Sequence, residues 1–137
     1  MADIIATYLG ELRVESRHAS SGTNMVTDAS QEGQGQGDGF SPIDALAASL
    51  GACALTTMGF YAQNHGLDIS GASVEVTSAM TATSPRRVAR VELVVAMPDR
   101  DYSDKDKKSL ERAVNSCPVH NSLHPDIEQK FSIKWAK

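Results

Sequence analysis

Aromatic residues are scarce in this chain. Phe, Tyr and Trp make up 5% of its 137 residues, and there is a single Trp. The core must therefore be built mainly from Ala, Leu, Ile, Val and Met. The hydrophobic fraction of 41% and the charged fraction of 22% are typical of a folded globular protein. The length predicts one domain, residues 1–137, with one core of ordinary size.

The chain also lacks an excess of positive charge. Its 13 basic residues are outnumbered by 17 acidic ones, for a formal net charge of −4. Proteins that bind nucleic acid present a strongly basic surface, so we expect no nucleic-acid partner. The densest basic clusters, residues 86–90 and 105–108, are interpreted as solvated faces.

No segment has the pattern of a targeting signal or a membrane span. The start, Met1-Ala2-Asp3-Ile4, carries no basic residue, and no long apolar run follows it. The most apolar stretch, residues 45–55, is about half the length that spans a bilayer. We therefore expect a cytoplasmic protein with no membrane partner.

Cysteine is limited to Cys53 and Cys117. The two lie too far apart in the chain to form a local CxxC motif. In the reducing cytoplasm, such a pair is more often catalytic, metal-binding or simply buried than a structural disulfide.

Hydrophobic periodicity and turn residues divide the chain into strands and helices. The predicted strands are residues 4–9, 12–17, 24–28, 72–82, 87–97 and 130–136. A Gly-rich polar segment, residues 31–39, is predicted to be a flexible loop that packs against nothing. One helix runs from an N-cap at Ser41 to about Asn64, and a second begins near Ser103 and is interrupted at Pro118. This βββ–α–ββ–α–β order predicts an α+β fold with mainly antiparallel sheets.

Cys53 lies on the first helix, on the same face as Leu46 and Leu50. The small residues around it allow another backbone to approach closely, so we expect this helix at the centre of the structure. Cys53 is either a small buried residue or a thiolate nucleophile. The second reading requires a cation from elsewhere in the fold, because the helix start is about three turns away.

Cys117 precedes a proline, in the segment Cys117-Pro118-Val119-His120. If a short helix begins at Pro118, Cys117 is its N-cap, where free N–H groups favour a thiolate. The alternative is a plain helix break. If it binds no metal, His120 is a surface or packing residue, or a neighbour that tunes Cys117.

A zinc site is a further alternative. Cys53, Cys117, His120 and His124 would form a Cys2His2 set, but their spacing matches no standard zinc motif. We expect no metal and no cofactor. Arg13 and Arg17 leave the same face of the second strand. They are either solvated or supply the cation that a thiolate needs, with a guanidinium that can also bind a peroxide oxygen.

Two segments resemble a known family. Residues 40–53, Phe-Ser-Pro-Ile-Asp-Ala-Leu-Ala-Ala-Ser-Leu-Gly-Ala-Cys, are similar to the first-cysteine helix of the OsmC/Ohr family, the osmotically inducible and organic-hydroperoxide-resistance proteins. Residues 117–123, Cys-Pro-Val-His-Asn-Ser-Leu, are similar to its second-cysteine segment. The resemblance implies an intertwined α+β homodimer with active sites at the interface, which reduces small hydrophobic organic hydroperoxides.

The resemblance also implies roles for individual residues. Cys53 would be the peroxidatic thiol, and Cys117 would resolve its sulfenic acid to a disulfide that a dithiol or lipoyl-type reductant reduces. Arg13 corresponds best to the arginine that holds the thiolate in this family, with Arg17 as the fallback.

One position departs from the peroxidase pattern. Peroxidase members carry a Glu directly after the helix-opening proline, where this chain has Ile43, and the nearest carboxylate is Asp44. The pattern is closer to the OsmC-like branch of the family. A non-enzymatic alternative is therefore a redox-sensing or small-ligand-binding module that kept the fold and the thiol pair.

Overall fold

The computed structural model describes residues 1–30 and 33–137. Gln31 and Glu32, at the start of the predicted flexible loop, lie outside the described residues. The elements within the described ranges are β1 (Ile4–Gly10), β2 (Arg13–His18), β3 (Asn24–Asp28), α1 (Pro42–Asn64), β4 (Ser73–Met80), β5 (Val88–Ala96), α2 (Asp104–Asn115), α3 (Pro118–Ser122) and β6 (Glu128–Lys134). They divide into two compact units, Met1–Leu46 and Ala47–Lys137. The α+β class and the strand order of the prediction are confirmed.

The first unit contains an antiparallel meander in the order β1-β2-β3. β1 and β2 are joined through Glu11 and Leu12, both with left-handed backbone at φ 56° and φ 64°. Such a turn matches the right-handed twist of its two strands. Leu12 therefore belongs to the turn, whereas the hydrophobic pattern predicted it to begin the second strand.

Helix α1 has the start and the end that its sequence predicts. The Ser41 hydroxyl accepts a hydrogen bond from the Asp44 N–H, and the Asp44 carboxylate accepts one from the Ser41 N–H, both at 3.0 Å. This reciprocal pair is a capping box. The helix ends before Gly66, which has φ 66°, and the Leu67 N–H donates to the Ala62 carbonyl at 2.8 Å.

The second unit contains a sheet in the order β4-β5-β6. β4 pairs with β5 antiparallel, and β5 pairs with β6 parallel. The predicted antiparallel pairing thus has one exception among the described strands. Parallel neighbours need a long crossover connection, and α2 and α3 supply it between β5 and β6.

Helix α1 lies directly against β4 within this unit. A Cβ atom added at Gly51 would lie 2.8 Å from Cγ2 of Val76 and 3.2 Å from Cγ1 of Val74. The small residues of α1 therefore allow the close approach that the sequence predicts. The largest fully buried side chains of the described residues are Met58, Leu110, Val91, Val95 and Cys117.

The second predicted helix is two helices. Ser103 caps α2 by accepting a hydrogen bond from the Asp106 N–H at 3.1 Å, and α2 ends at Asn115. A new helix, α3, begins at Pro118, because a proline fits the first position of a helix and not its interior.

α1 is the one helix in the described ranges that is long and apolar enough to cross a membrane. This is weak evidence for a membrane span, since the core helix of a soluble protein passes the same test. Within the chain, 28% of the 18-residue apolar window of α1 is buried.

Candidate active site

The two cysteines, far apart in sequence, are neighbours in the second unit. Both are free thiols, and the side chain of Cys117 is hydrogen-bonded to that of Cys53. This bond raises the pKa of Cys117, so it stabilises the protonated form of that residue.

Burial distinguishes the two thiols. Cys117 is 0% exposed, whereas Cys53 is only half-buried. Burial is the largest cause of the raised pKa of Cys117, and the hydrogen bond to Cys53 adds to it. A reagent that approaches the pair from solvent therefore meets Cys53 first.

Cys117 is the N-cap of α3. Of the two alternatives that the sequence leaves open, a short helix that begins at Pro118 is therefore confirmed, and a plain helix break is not. Its Sγ accepts a hydrogen bond from the His120 N–H at 3.4 Å. The hydrogen bonds from the His120 and Val119 N–H groups lower the pKa of Cys117, but burial outweighs them. The thiolate expected from the N-cap position alone is therefore not the favoured form.

Cys53 occupies the face of α1 that the sequence predicts. Leu50 and Thr57, one turn before and after it, are buried and half-buried. The Thr57 hydroxyl donates to the Cys53 carbonyl at 3.1 Å. Side-chain hydroxyls of this kind bond locally to the helix backbone and do not compete for the thiol.

His120 is held by Gln129 of β6 through two contacts. Its Nδ1 lies 2.5 Å from the Gln129 side-chain oxygen, and the Gln129 side-chain nitrogen donates to the His120 carbonyl at 3.1 Å. The prediction began the last strand at residue 130 and so missed Gln129. The available signal was its alternation with Phe131 and Ile133, which places a polar side chain on the inner face of β6.

A small open pocket adjoins this histidine in the second unit. Its apolar lining residues are Leu50, Leu93, Val114 and Phe131, and its polar ones are Asn115, His120, Gln129 and Lys130. Leu50 lies one turn before Cys53 on α1. The lining thus combines four apolar and four hydrogen-bonding residues.

Arg13 lies in the first unit, at the start of β2. Its Nη2 donates to the Gln36 side-chain oxygen at 2.7 Å and to the Asp38 carboxylate, and it lies 3.8 Å from Oδ2 of Asp28. Asp28 is only 3% exposed. The sequence did not point to Asp28, Gln36 or Asp38 as partners of Arg13.

This cluster changes the interpretation of the Gly-rich loop. The sequence predicts that residues 31–39 pack against nothing. Gln36 and Asp38, in the described part of this segment, instead bind Arg13. In addition, the Asp38 N–H donates to Oδ2 of Asp28 at 3.3 Å. The loop therefore helps to orient the guanidinium.

The other predicted supporting residues have simpler surroundings. Asp44 caps α1, and Arg17 is exposed on β2. Arg13 belongs to the first unit and the thiols to the second, so the predicted action of Arg13 on Cys53 stays a prediction.

The zinc alternative finds no support in residues 1–30 and 33–137. These ranges contain no group of three or more His, Cys, Asp or Glu side chains that is arranged to hold a metal ion. His124 instead accepts a hydrogen bond from the Asp126 N–H at 3.0 Å.

Comparisons with known proteins agree on one family. The family model described as OsmC-like protein matches residues 35–132. A crystal structure from Psychrobacter arcticus 273-4, described as an osmotic stress induced and detoxification response protein, is 40% identical, with a TM-score of 0.92 over 98% of this chain and 96% of that one. No curated protein is significantly similar to the chain.

Two more distant structures show the same fold. An OsmC-like protein from Mycoplasma pneumoniae is 18% identical, with a TM-score of 0.79 over 100% of this chain and 98% of that one. An organic hydroperoxide resistance protein OsmC from Legionella pneumophila is 17% identical, with a TM-score of 0.75 over 98% of each chain. At these identities the likeness is one of fold alone.

Proposed function

Because the chain belongs to the OsmC-like family, we propose that it is a thiol peroxidase that reduces organic hydroperoxides. Family membership supports a redox or peroxide-related role. The observation that carries the finer proposal is the hydrogen-bonded thiol pair, in which Cys53 is half-buried and Cys117 is fully buried. In this proposal, Cys53 meets the substrate and Cys117 meets only its neighbour.

In the first step, Cys53 acts as the nucleophile. Its thiolate attacks the terminal oxygen of a hydroperoxide and the O–O bond breaks. The alkoxide leaves and takes up a proton as an alcohol, and Cys53 becomes a sulfenic acid. The Cys117 side chain adjoins this sulfur.

In the second step, Cys117 resolves the sulfenic acid. Its sulfur attacks the Cys53 sulfur, and the hydroxyl group leaves as water with the thiol proton. A disulfide between Cys53 and Cys117 results. A dithiol of lipoyl type then reduces it by thiol–disulfide exchange. Burial keeps Cys117 protonated and shielded from the oxidant until this step.

We assign to Arg13 the role of holding the Cys53 thiolate, with Arg17 as the fallback. The family resemblance supports this proposal, and within the first unit Asp28, Asp38 and Gln36 surround the guanidinium. Asp28 and Asp38 thus give Arg13 carboxylate partners. The position after Pro42, where peroxidase members carry a glutamate, is Ile43 in this chain. A bidentate, always-charged guanidinium suits both a thiolate and a peroxide oxygen.

The protein is proposed to act as a homodimer in the cytoplasm. Apolar side chains of β1 are exposed on both faces of its sheet, among them Ile4 at 61% and Leu9 at 55%. Exposed apolar surface of this extent marks an interaction site. A second copy of the chain is the occupant that the family resemblance implies.

The test is turnover of cumene hydroperoxide with dihydrolipoamide as reductant. Wild type is expected to consume the hydroperoxide catalytically and Cys53→Ser not at all. Cys117→Ser is expected to accumulate the Cys53 sulfenic acid, which a dimedone label detects. Thr56→Ala, an exposed position on α1, is the matched control. Equal consumption by wild type and Cys53→Ser contradicts the proposal.

A second candidate function is redox sensing without turnover. Ile43 favours it, because this position carries a carboxylate in the peroxidase pattern. The same thiol pair would then form a reversible disulfide on exposure to oxidant, with no appreciable catalytic reduction of hydroperoxide. The turnover assay separates the two functions.

A further inference from the structure

The short helix α3 carries the groups that hold the Cys117 sulfur. It has five residues, too few to be stable by itself. Its His120 N–H donates to Cys117 Sγ at 3.4 Å, and its Asn121 N–H donates to the Cys117 carbonyl at 3.1 Å. Something outside α3 must therefore keep its first turn in place.

Gln129 of β6 is a side chain outside α3 that does so. Its nitrogen donates to the His120 carbonyl at 3.1 Å, and its oxygen lies 2.5 Å from His120 Nδ1. Both contacts are made with the residue whose N–H points at Cys117 Sγ. Gln129 lies on the inner face of a strand whose other inner positions are apolar, including Phe131 and Ile133. An apolar side chain would be enough to fill that face. The two contacts with His120 need an amide, which has both a donor and an acceptor.

The two contacts also determine the tautomer of His120. A carbonyl oxygen can only accept, so the Gln129 group bonded to the His120 carbonyl must be the NH₂ end of the amide. The oxygen end then faces Nδ1 and can only accept. A neutral His120 must therefore carry its proton on Nδ1, which leaves Nε2 as the one acceptor of the ring.

We propose that Gln129 is a positioning residue for the resolving step. By holding His120, it fixes the first turn of α3 and keeps Cys117 in line with the Cys53 sulfur. This inference rests on the proposed function, since it assigns a part in the reaction of Cys117 with the Cys53 sulfenic acid. That reaction forms the S–S bond and releases water, and Gln129 exchanges no proton with the reactants.

The experiment separates the two chemical steps. A pulse of cumene hydroperoxide oxidises Cys53, and two rates are measured: loss of the Cys53 thiol and appearance of the disulfide. Gln129→Leu keeps the approximate size and removes both hydrogen bonds. It is expected to slow disulfide formation by about tenfold, as for the loss of two ordinary hydrogen bonds, with an unchanged rate of Cys53 oxidation. Ser132→Ala, at an exposed position of β6, is the control and is expected to match wild type.

The tautomer provides a readout that needs no peroxide. Nitrogen-15 NMR of the neutral imidazole is expected to show Nδ1–H at His120 in wild type and a shift toward Nε2–H in Gln129→Leu. Gln129→Glu keeps the acceptor for Nδ1–H but loses the donor, so it is expected to retain the tautomer and to resolve at an intermediate rate. This variant also tests the proposal if Gln129→Leu fails to fold.

Two results would overturn the inference. One is disulfide formation in Gln129→Leu at the wild-type rate, and the other is Nε2–H at His120 in wild type. Failure of the proposed function is a different outcome, in which wild type itself forms no disulfide after Cys53 is oxidised.

Discussion

The properties of Cys117 follow from two opposing local effects. Hydrogen bonds from the His120 and Val119 N–H groups lower its pKa, and burial raises it by more. The hydrogen bond with Cys53 adds to the increase. The pKa of Cys117 therefore lies above its ordinary value. This favours a reaction order in which the accessible thiol of Cys53 reacts first and the buried thiol of Cys117 second.

This assignment predicts selective alkylation of the native protein. Iodoacetamide at pH 8 is expected to modify Cys53 and to leave Cys117 unmodified, because Cys117 is 0% exposed and its pKa is raised. Peptide mass spectrometry identifies the labelled cysteine. Alkylation of both cysteines in urea is the control, and equal labelling of both in the native protein would contradict the assignment.

The raised pKa of Cys117 also predicts a dependence of stability on pH. The folded state keeps the Cys117 proton to a higher pH than the unfolded state does. The free energy of unfolding should therefore fall as the pH rises through the ordinary value of 9.0. Urea denaturation from pH 7 to pH 10 measures it. Cys117→Ser should show a shallower fall, and an identical pH dependence would count against a raised pKa.

Among the elements, α1 depends on a close contact that only a small residue permits. Gly51 faces Val74 and Val76 of β4, whereas a Cβ added at Gly59 of the same helix would meet no atom within 4 Å. The two glycines thus test packing and helix propensity separately. Cys53 lies two residues after Gly51, so this contact also fixes the position of Cys53 relative to the sheet.

Alanine is expected to have opposite effects at the two glycines. Gly51→Ala should lower the free energy of unfolding by about 1 kcal/mol, because overpacking outweighs the gain in helix propensity. Gly59→Ala should raise it by about 1 kcal/mol, since only the gain in propensity applies. Urea denaturation of both variants measures the difference. Equal effects at the two sites would show that Gly51 does not make this contact.

Most elements could be predicted from the sequence because their signals are local. Ser41 and Pro42 mark the start of α1, and Gly66 marks its end. The turn at Leu12 was missed because a left-handed leucine is disfavoured and no pattern reports it. The parallel pairing of β5 with β6 is a property of the crossover through α2 and α3, which periodicity does not show.

The site was predictable only in part, because only some of its residues carry a local signal in the sequence. Both cysteines and Arg13 could be selected by residue type and local context. Asp28 and Asp38 could not, since their importance arises from long-range contacts with Arg13, whereas Gln129 was missed although its alternation with Phe131 and Ile133 was a usable signal. The dominance of burial over the N-cap effect at Cys117 likewise depends on the packing of the whole second unit.

For the whole molecule, the exposed apolar residues of β1 predict a dimer. Ile4 and Tyr8 alternate with Ile5 and Leu9, so both faces of the strand present apolar side chains to solvent. Sedimentation equilibrium at micromolar concentration should give twice the 14.6 kDa mass of one chain. Leu9→Glu should shift the protein toward monomer, and Lys105→Glu, an exposed change on α2, should not. A monomeric wild type would contradict the prediction.

The central claim is that Cys53 is a nucleophile selective for organic hydroperoxides, and its oxidation rate tests this most directly. Stopped-flow measurement of the second-order rate constant for Cys53, in the Cys117→Ser background, compares cumene hydroperoxide with hydrogen peroxide. We expect a rate far above that of a free cysteine and faster with the organic substrate. Rates equal to those of a free thiol, without preference between the two oxidants, would contradict the claim.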